Sequence, residues 1–216
     1  MVQPVTPQQF HEAVGVEDWR VVGTGASACF LTDSFERGVT FVNEIAKHAQ
    51  SQNHHPDVDL RYSSVTVRLF THEVNAVSER DVELARTISL TARSLGFIAD
   101  PSRVEEVQVT IDAMDIATVR AFWRAVLNYR DEGSDELRDP EGRGPSFWFQ
   151  QMDVPRTQRN RVHVDVNVAH DEATARVTSA IAAGGRLVTD DFAPSWWVLA
   201  DPEGNEACVA TWMRRE

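Results

Sequence analysis

Two hydrophobic periods run through the chain, and the switches between them predict its elements. Residues 20–31 contain VVGTGASACFL, two strand-like pieces around glycines at a turn. Thr32 or Asp33 can cap the next helix, in which Phe35, Val39, Val42, Ile45, Ala46 and Ala49 recur at helical spacing. That helix must stop before Pro56, because proline disfavours a helical residue ahead of it. From Tyr62 to Phe70 the period drops to two, with Val65, Val67 and Leu69 on one face of a strand. Ser78-Glu-Arg-Asp81 resembles a capping box with Asp in the place of Glu or Gln, and the helix it opens carries Val82, Ala85, Ile88, Ala92 and Leu95 as its apolar stripe. Gly96 can end that helix in a left-handed conformation.

The proline-bearing joint Ala99-Asp-Pro-Ser-Arg103 then divides the chain into domains 1–100 and 104–216. The second half repeats itself. Val107-Gln-Val-Thr-Ile111 precedes Asp115-Ile-Ala-Thr-Val-Arg120, and Val162-His-Val-Asp-Val-Asn-Val168 precedes Asp171-Glu-Ala-Thr-Ala-Arg176. Each reads as a strand and then an Asp-capped helix. A later echo sets Asp139-Pro-Glu-Gly142 against Asp201-Pro-Glu-Gly204, turn chemistry ahead of an apolar strand in both cases. The pattern predicts two copies of a strand–helix–strands unit of about 50 residues.

At 216 residues the chain can bury a core without staples, and 42% apolar with 25% charged residues is globular composition. The formal charge of −12 argues against nucleic acid and anionic lipid, and no local basic patch reverses it. Cys29 and Cys208 stand far apart in no metal-type spacing, as free thiols in a reducing compartment would. The start MVQPVTPQQFHEAV lacks a basic n-region and an apolar h-region, and no apolar run reaches the ~18 residues of a membrane span. These features predict a cytoplasmic protein with no membrane partner.

Four residues of the first half carry candidate chemistry: His54, His55, His72 and Asp81. The paired histidines sit in a loop where the first long helix ends. His72 lies just past the next strand, whose end can return to that loop, and Asp81 is in the first turn of the second helix. Imidazoles give and take protons near neutral pH, so several around one cavity suit a reaction that protonates a leaving group and deprotonates its neighbour. No serine elbow or comparable nucleophile accompanies them. Two other readings stay open on spacing alone: a polar helix terminus with a structural histidine, and a zinc site lacking a Cys or Glu to complete it.

His54-His-Pro56, Tyr62, Thr71-His-Glu73 and Ser78-Glu-Arg-Asp81, at these spacings and with Trp19 and Phe41 upstream, resemble pterin-4a-carbinolamine dehydratase over roughly residues 15–97. The resemblance implies a metal-free dehydratase that converts 4a-hydroxytetrahydropterin to quinonoid dihydropterin, and a homodimer or tetramer. It implies that His55 is the general acid for the departing 4a-hydroxyl, that His54 and His72 take the proton from ring N5, that Asp81 orients the site, and that Pro56 and Thr71 line the pterin pocket. Gln50 replaces the charged residue often found four positions before the first histidine, and Val58-Asp-Leu60 lacks the aromatic often found after it. A neutral pterin substrate is compatible with the negative charge.

Arg161-Val-His-Val-Asp165, Gly184-Gly185 and Asp201-Pro-Glu-Gly-Asn-Glu206 look like the glyoxalase-like branch of the vicinal-oxygen-chelate superfamily, over roughly 104–213. The fold implied is α+β throughout: an antiparallel sheet with helices on one face, then a cup of paired βαβββ units. A divalent metal often sits in such a cup. His163 and Glu206 match two ligand positions. For the third, strand phase offers Gln108 as the counterpart of His163 and Thr110 of Asp165, whereas the helix offset offers Val107, which cannot bind metal. Such a set of carboxylate, imidazole and amide oxygen would suit a hard or borderline ion. The alternatives are a lyase or dioxygenase centred in the second half, a small-molecule binder in which Trp196-Trp197 line the pocket, or a first half that serves only as a dimerising module.

Overall fold

A computed structural model of the chain describes residues 2–117, 119–120, 129–154, 162–182, 185–200 and 206–214. The chain falls into two compact units, Met1–Val104 and Glu105–Glu216. Both are mixed α+β. Among the described residues no helix is long and apolar enough to cross a membrane.

In the first unit, α1 (Pro7–Glu12) precedes a hairpin of β1 (Arg20–Val22) and β2 (Gly25–Leu31). The long α2 (Phe35–Gln52) leads to β3 (Asp57–Leu60) and β4 (Ser64–Leu69), and α3 (Glu79–Ser94) leads to the short β5 (Ile98–Ala99). The antiparallel sheet runs β1-β2-β4-β3, with β5 also paired to β2. Val65, Val67 and Leu69 project from one face of β4 and are fully buried, as their alternation predicts. They meet Phe30, Phe41, Ile45, Leu84 and Ile88 in one core.

Two expectations need correction here. Neither Thr32 nor Asp33 caps α2: Ser34 does, its hydroxyl accepting from the amide of Arg37, while the Thr32 hydroxyl bonds the Ser34 carbonyl. The buried stripe of α2 is also rotated from the expected one. Gly38, Phe41, Ile45 and Ala49 face the sheet, and Phe35, Val39 and Ala46 are exposed. Gly38 is the reason. A Cβ there would lie 2.5 Å from Leu60 Cδ1 and 3.3 Å from Thr32 Oγ1, so the bare glycine lets the helix approach the sheet closely and turns its neighbours outward.

α3 begins as its sequence predicts. Ser78 accepts from the Arg80 amide, and Asp81 at the third helical position accepts from the Ser78 amide, completing the capping box. It ends at Gly96, whose φ of +76° only glycine adopts without strain.

The second unit holds an eight-stranded sheet. Its strands are β6 (Glu105–Ala113), β7 (Arg130–Glu132), β8 (Glu136–Arg138), β9 (Ser146–Gln151), β10 (Val162–Val168), β11 (Arg186–Thr189), β12 (Trp196–Ala200) and β13 (Glu206–Ala210), with α4 (Ala173–Ala182) between β10 and β11. The order β11-β12-β13-β10-β6-β9-β8-β7 is symmetric about the β6–β10 pair. Each half places its first strand parallel to its last, β6 to β9 and β10 to β13, with the remaining strands antiparallel outward. This is the duplicated strand arrangement expected from the repeat; the helix of the first copy, beyond Arg120, lies outside the described residues. Asp139 builds the first Asp-Pro-Glu-Gly turn, its carboxylate accepting from the amides of Glu141, Arg143 and Gly144. These backbone donors hold it below the usual aspartate range. The second turn at Asp201, with Gly184 and Arg161, lies outside the described residues. One sheet face packs hydrophobic clusters around Ile111, Leu137, Phe147 and Phe149 and around Val168, Val177, Leu199 and Val209. The other carries Gln108, Thr110, Ser146, His163, Asp165 and Cys208.

Candidate active site of the first unit and polar face of the second

The antiparallel β3–β4 pair brings the expected residues to one end of the sheet. Asp57 at the start of β3 lies opposite Arg68 near the end of β4, so the loop before β3 and the turn after β4 share that end. α2 delivers the loop. It terminates at Asn53, which is left-handed with φ of +47°, and the chain turns directly into His54, His55 and Pro56. Beyond β4, Thr71 precedes a single helical turn, His72–Val74.

Asp81 is the centre of the arrangement. It is fully buried, and three donors converge on its carboxylate. Oδ2 accepts from the Thr71 hydroxyl at 2.6 Å and the Ser78 amide at 2.7 Å, and Oδ1 lies 2.7 Å from His54 Nε2. An ionised carboxylate can only accept, so with Asp81 in that form Nε2 carries the proton and Nδ1 is the ring atom left for other chemistry. The Thr71 and Ser78 hydroxyls close the network at 2.7 Å. His54 itself is 8% exposed. His55 and His72 are exposed, and the His72 ring stands edge-on to Phe70 at 5.0 Å. Pro56 is half-buried. Thr71 is enclosed, with its hydroxyl spent on Asp81 and Ser78, so it acts by anchoring the acid as well as by its place at the site's edge. Ser78 has the same double duty. Ser78→Ala removes the cap and one hydroxyl of the network, and is expected to destabilise the first unit by about 0.5–2 kcal/mol in a urea titration.

In the second unit the antiparallel β6–β10 register sets the neighbours of the expected donors. Gln108 lies opposite Asp165, and Thr110 opposite His163. Gln108 donates to Ser146 on the neighbouring strand at 2.9 Å. Glu206 is exposed at the start of β13. Among the described residues, the histidine, cysteine and acidic side chains that converge are His163, Asp165 and Cys208, whose ligand atoms all lie within 4.8 Å of one another. Spacing alone hides this group, because Asp165 and Cys208 become neighbours only through the parallel β10–β13 register. Trp196 and Trp197 point to opposite sides of β12: Trp197 joins the hydrophobic cluster near Val209, and Trp196 stacks on Phe192 at 4.6 Å.

On the same polar face Glu136 pairs with Arg138 at 3.2 Å. Burial pushes its carboxyl above the usual glutamate range, the repulsion of Glu132 and Glu106 adds to this, and Arg138 and the Ser146 hydroxyl oppose it. The folded chain therefore holds this proton at a pH where the unfolded chain has released it, so stability falls as pH rises through that window above the ordinary glutamate value. Glu136→Gln is expected to flatten that decline in thermal midpoints measured from pH 4.5 upward.

Comparison with known proteins agrees with this division. Residues 3–91 match the family model for pterin 4 alpha carbinolamine dehydratase, and residues 108–210 match that for a glyoxalase-like domain. A Sulfurisphaera tokodaii protein provisionally named pterin-4-alpha-carbinolamine dehydratase is 34% identical over 88 residues, 40% of this chain and 95% of its own. A Mycobacteroides abscessus protein with the same provisional name is 36% identical over 85 residues, 39% of this chain and 90% of its own. The crystal structure of a transcriptional coactivator/pterin dehydratase from Brucella melitensis aligns at 28% identity and a TM-score of 0.40, covering 42% of this chain and 99% of that one.

Proposed function

Because the chain belongs, through its first half, to the pterin 4 alpha carbinolamine dehydratase family, we propose that it dehydrates 4a-hydroxytetrahydropterin to quinonoid dihydropterin by histidine acid–base catalysis. The observation that carries this reading is the buried Asp81 locked onto His54 Nε2, beside two exposed imidazoles on the same sheet end. A purely structural histidine has no need of a fully buried carboxylate partner that is itself held by a hydroxyl and a backbone amide.

In this reading His55 gives its proton to the 4a-hydroxyl, and the C4a–O bond breaks as water leaves. The N5–H proton passes to the His54 Nδ1 or to His72, and its bonding pair becomes the N5=C4a double bond. One proton enters and one leaves, so the reaction balances without a metal or redox cofactor. Asp81 is a positioning residue: it fixes the tautomer of His54 and aims its free nitrogen. Pro56 borders the pterin. The glyoxalase-like unit is an accessory domain, and the protein works as a homodimer or tetramer, for which the unpaired edge of β3 with Val58 exposed is the supporting feature.

Titration of the full chain with a reduced pterin lacking the 4a-hydroxyl tests the site without turnover. Seven histidines are few enough to assign by substitution. The imidazole signals of His54, His55 and His72 are expected to shift together and saturate, and a pterin that moves none of them would overturn the assignment.

A further inference from the structure

We propose that the polar face of the second unit is a zinc site built by His163, Asp165 and Cys208, a donor set different from the one the glyoxalase-like resemblance implies. The inference is independent of the dehydratase reading.

Three observations carry it. First, the three ligand atoms converge, all within 4.8 Å of one another, with His163 Nε2 and Asp165 Oδ1 at 3.5 Å. Tetrahedral zinc with bonds of about 2.0–2.3 Å separates neighbouring ligand atoms by about 3.3–3.7 Å, so the cluster needs only a small contraction. Second, Asp165 Oδ1 is enclosed and receives no hydrogen bond from a described residue, although it faces His163 at 3.5 Å. A buried carboxylate oxygen without a donor is costly unless a cation occupies the space before it. Third, the other oxygen is held from behind: Thr110 donates to Asp165 Oδ2 at 3.3 Å, the outer-shell support that aims a ligating carboxylate.

The chemistry of the donors selects the ion. With the carboxylate of Asp165 in the place of Glu206 and a thiol in the place of the amide oxygen, the preference moves from hard ions towards borderline and soft ones, and imidazole, carboxylate and thiolate together suit Zn²⁺. Binding forms the metal–sulfur bond as the thiol proton goes to solvent, so affinity rises with pH. Three protein ligands leave a fourth position open to water or a small-molecule donor.

The test uses the full chain, stripped with chelator, and Co²⁺ as a spectroscopic stand-in for zinc. A cobalt–thiolate bond gives a near-ultraviolet charge-transfer band that oxygen and nitrogen ligands do not. One equivalent of Co²⁺ is expected to produce that band and Zn²⁺ to displace it. Cys208→Ser should abolish the band, Cys29→Ala and Glu206→Gln should leave it unchanged, and the near-isosteric Asp165→Asn should weaken binding. Thr110→Val, which keeps all three ligands, should lower affinity about 10–100-fold. The proposal fails if a folded chain shows no saturable Co²⁺ binding, if binding comes without the band, if the band survives Cys208→Ser, or if Glu206→Gln weakens binding while Asp165→Asn does not.

Discussion

His55→Ala is expected to lower the rate of 4a-hydroxytetrahydropterin dehydration by about 10²–10⁴-fold, the range that one positioned acid–base group contributes. It is expected to leave the thermal midpoint within error of the parent. The two halves of this expectation have separate causes. His55 is exposed and makes no hydrogen bond to a described residue, so removing its ring takes no contact from the core. The same exposure lets the ring meet a substrate. Its neighbour His54 is buried on Asp81 and serves the fold as well as the site, so His55 is where catalysis and stability come apart. Turnover by stopped flow and unfolding by circular dichroism on the same preparation measure both. Equal losses in the two would mean that the ring is structural.

Asp81→Ala is expected to damage both. The carboxylate is fully buried and terminates three hydrogen bonds, so its loss leaves the His54 Nε2–H, the Thr71 hydroxyl and the Ser78 amide facing an empty space. Each buried donor left without its acceptor costs about 1–3 kcal/mol, and a urea titration of the full chain should show the first unit destabilised by at least one such loss. Asp81→Asn separates the roles. The amide keeps the volume and one acceptor but turns a donor towards at least one of three donors, so His54 loses its fixed tautomer. The pH profile of turnover should then move even at temperatures where the variant is folded. An unchanged profile with normal turnover would reduce Asp81 to a helix cap.

Much of the first unit was legible from residues because its signals are local. The alternation of Val65, Val67 and Leu69, the capping box from Ser78 to Asp81 and the stop at Gly96 each depend on neighbours within one element, and each is present in the structure. What spacing does not show lies where one element meets another. Phe35 and Val39 look like core positions on a helical wheel, but Gly38 draws α2 against Leu60 and rotates them out. Thr71 reads as a pocket residue beside His72, and its bond to Asp81 becomes visible only when β4 ends beside the first turn of α3. In the second unit the repeat was plain, but His163, Asp165 and Cys208 come from two strands whose parallel register no spacing states. Periodicity tells which face a side chain takes; it does not tell which residue across the sheet it will meet.

A working dehydratase site in the first unit has a kinetic signature. Its most direct test is stopped-flow decay of freshly generated 4a-hydroxytetrahydropterin with the full-length protein, beside buffer alone and beside an equal concentration of His55→Ala. The decay is expected to accelerate in proportion to protein concentration, to be unaffected by a chelator, and to return to the buffer rate with the variant. A correctly folded parent chain that leaves the buffer rate unchanged would contradict it.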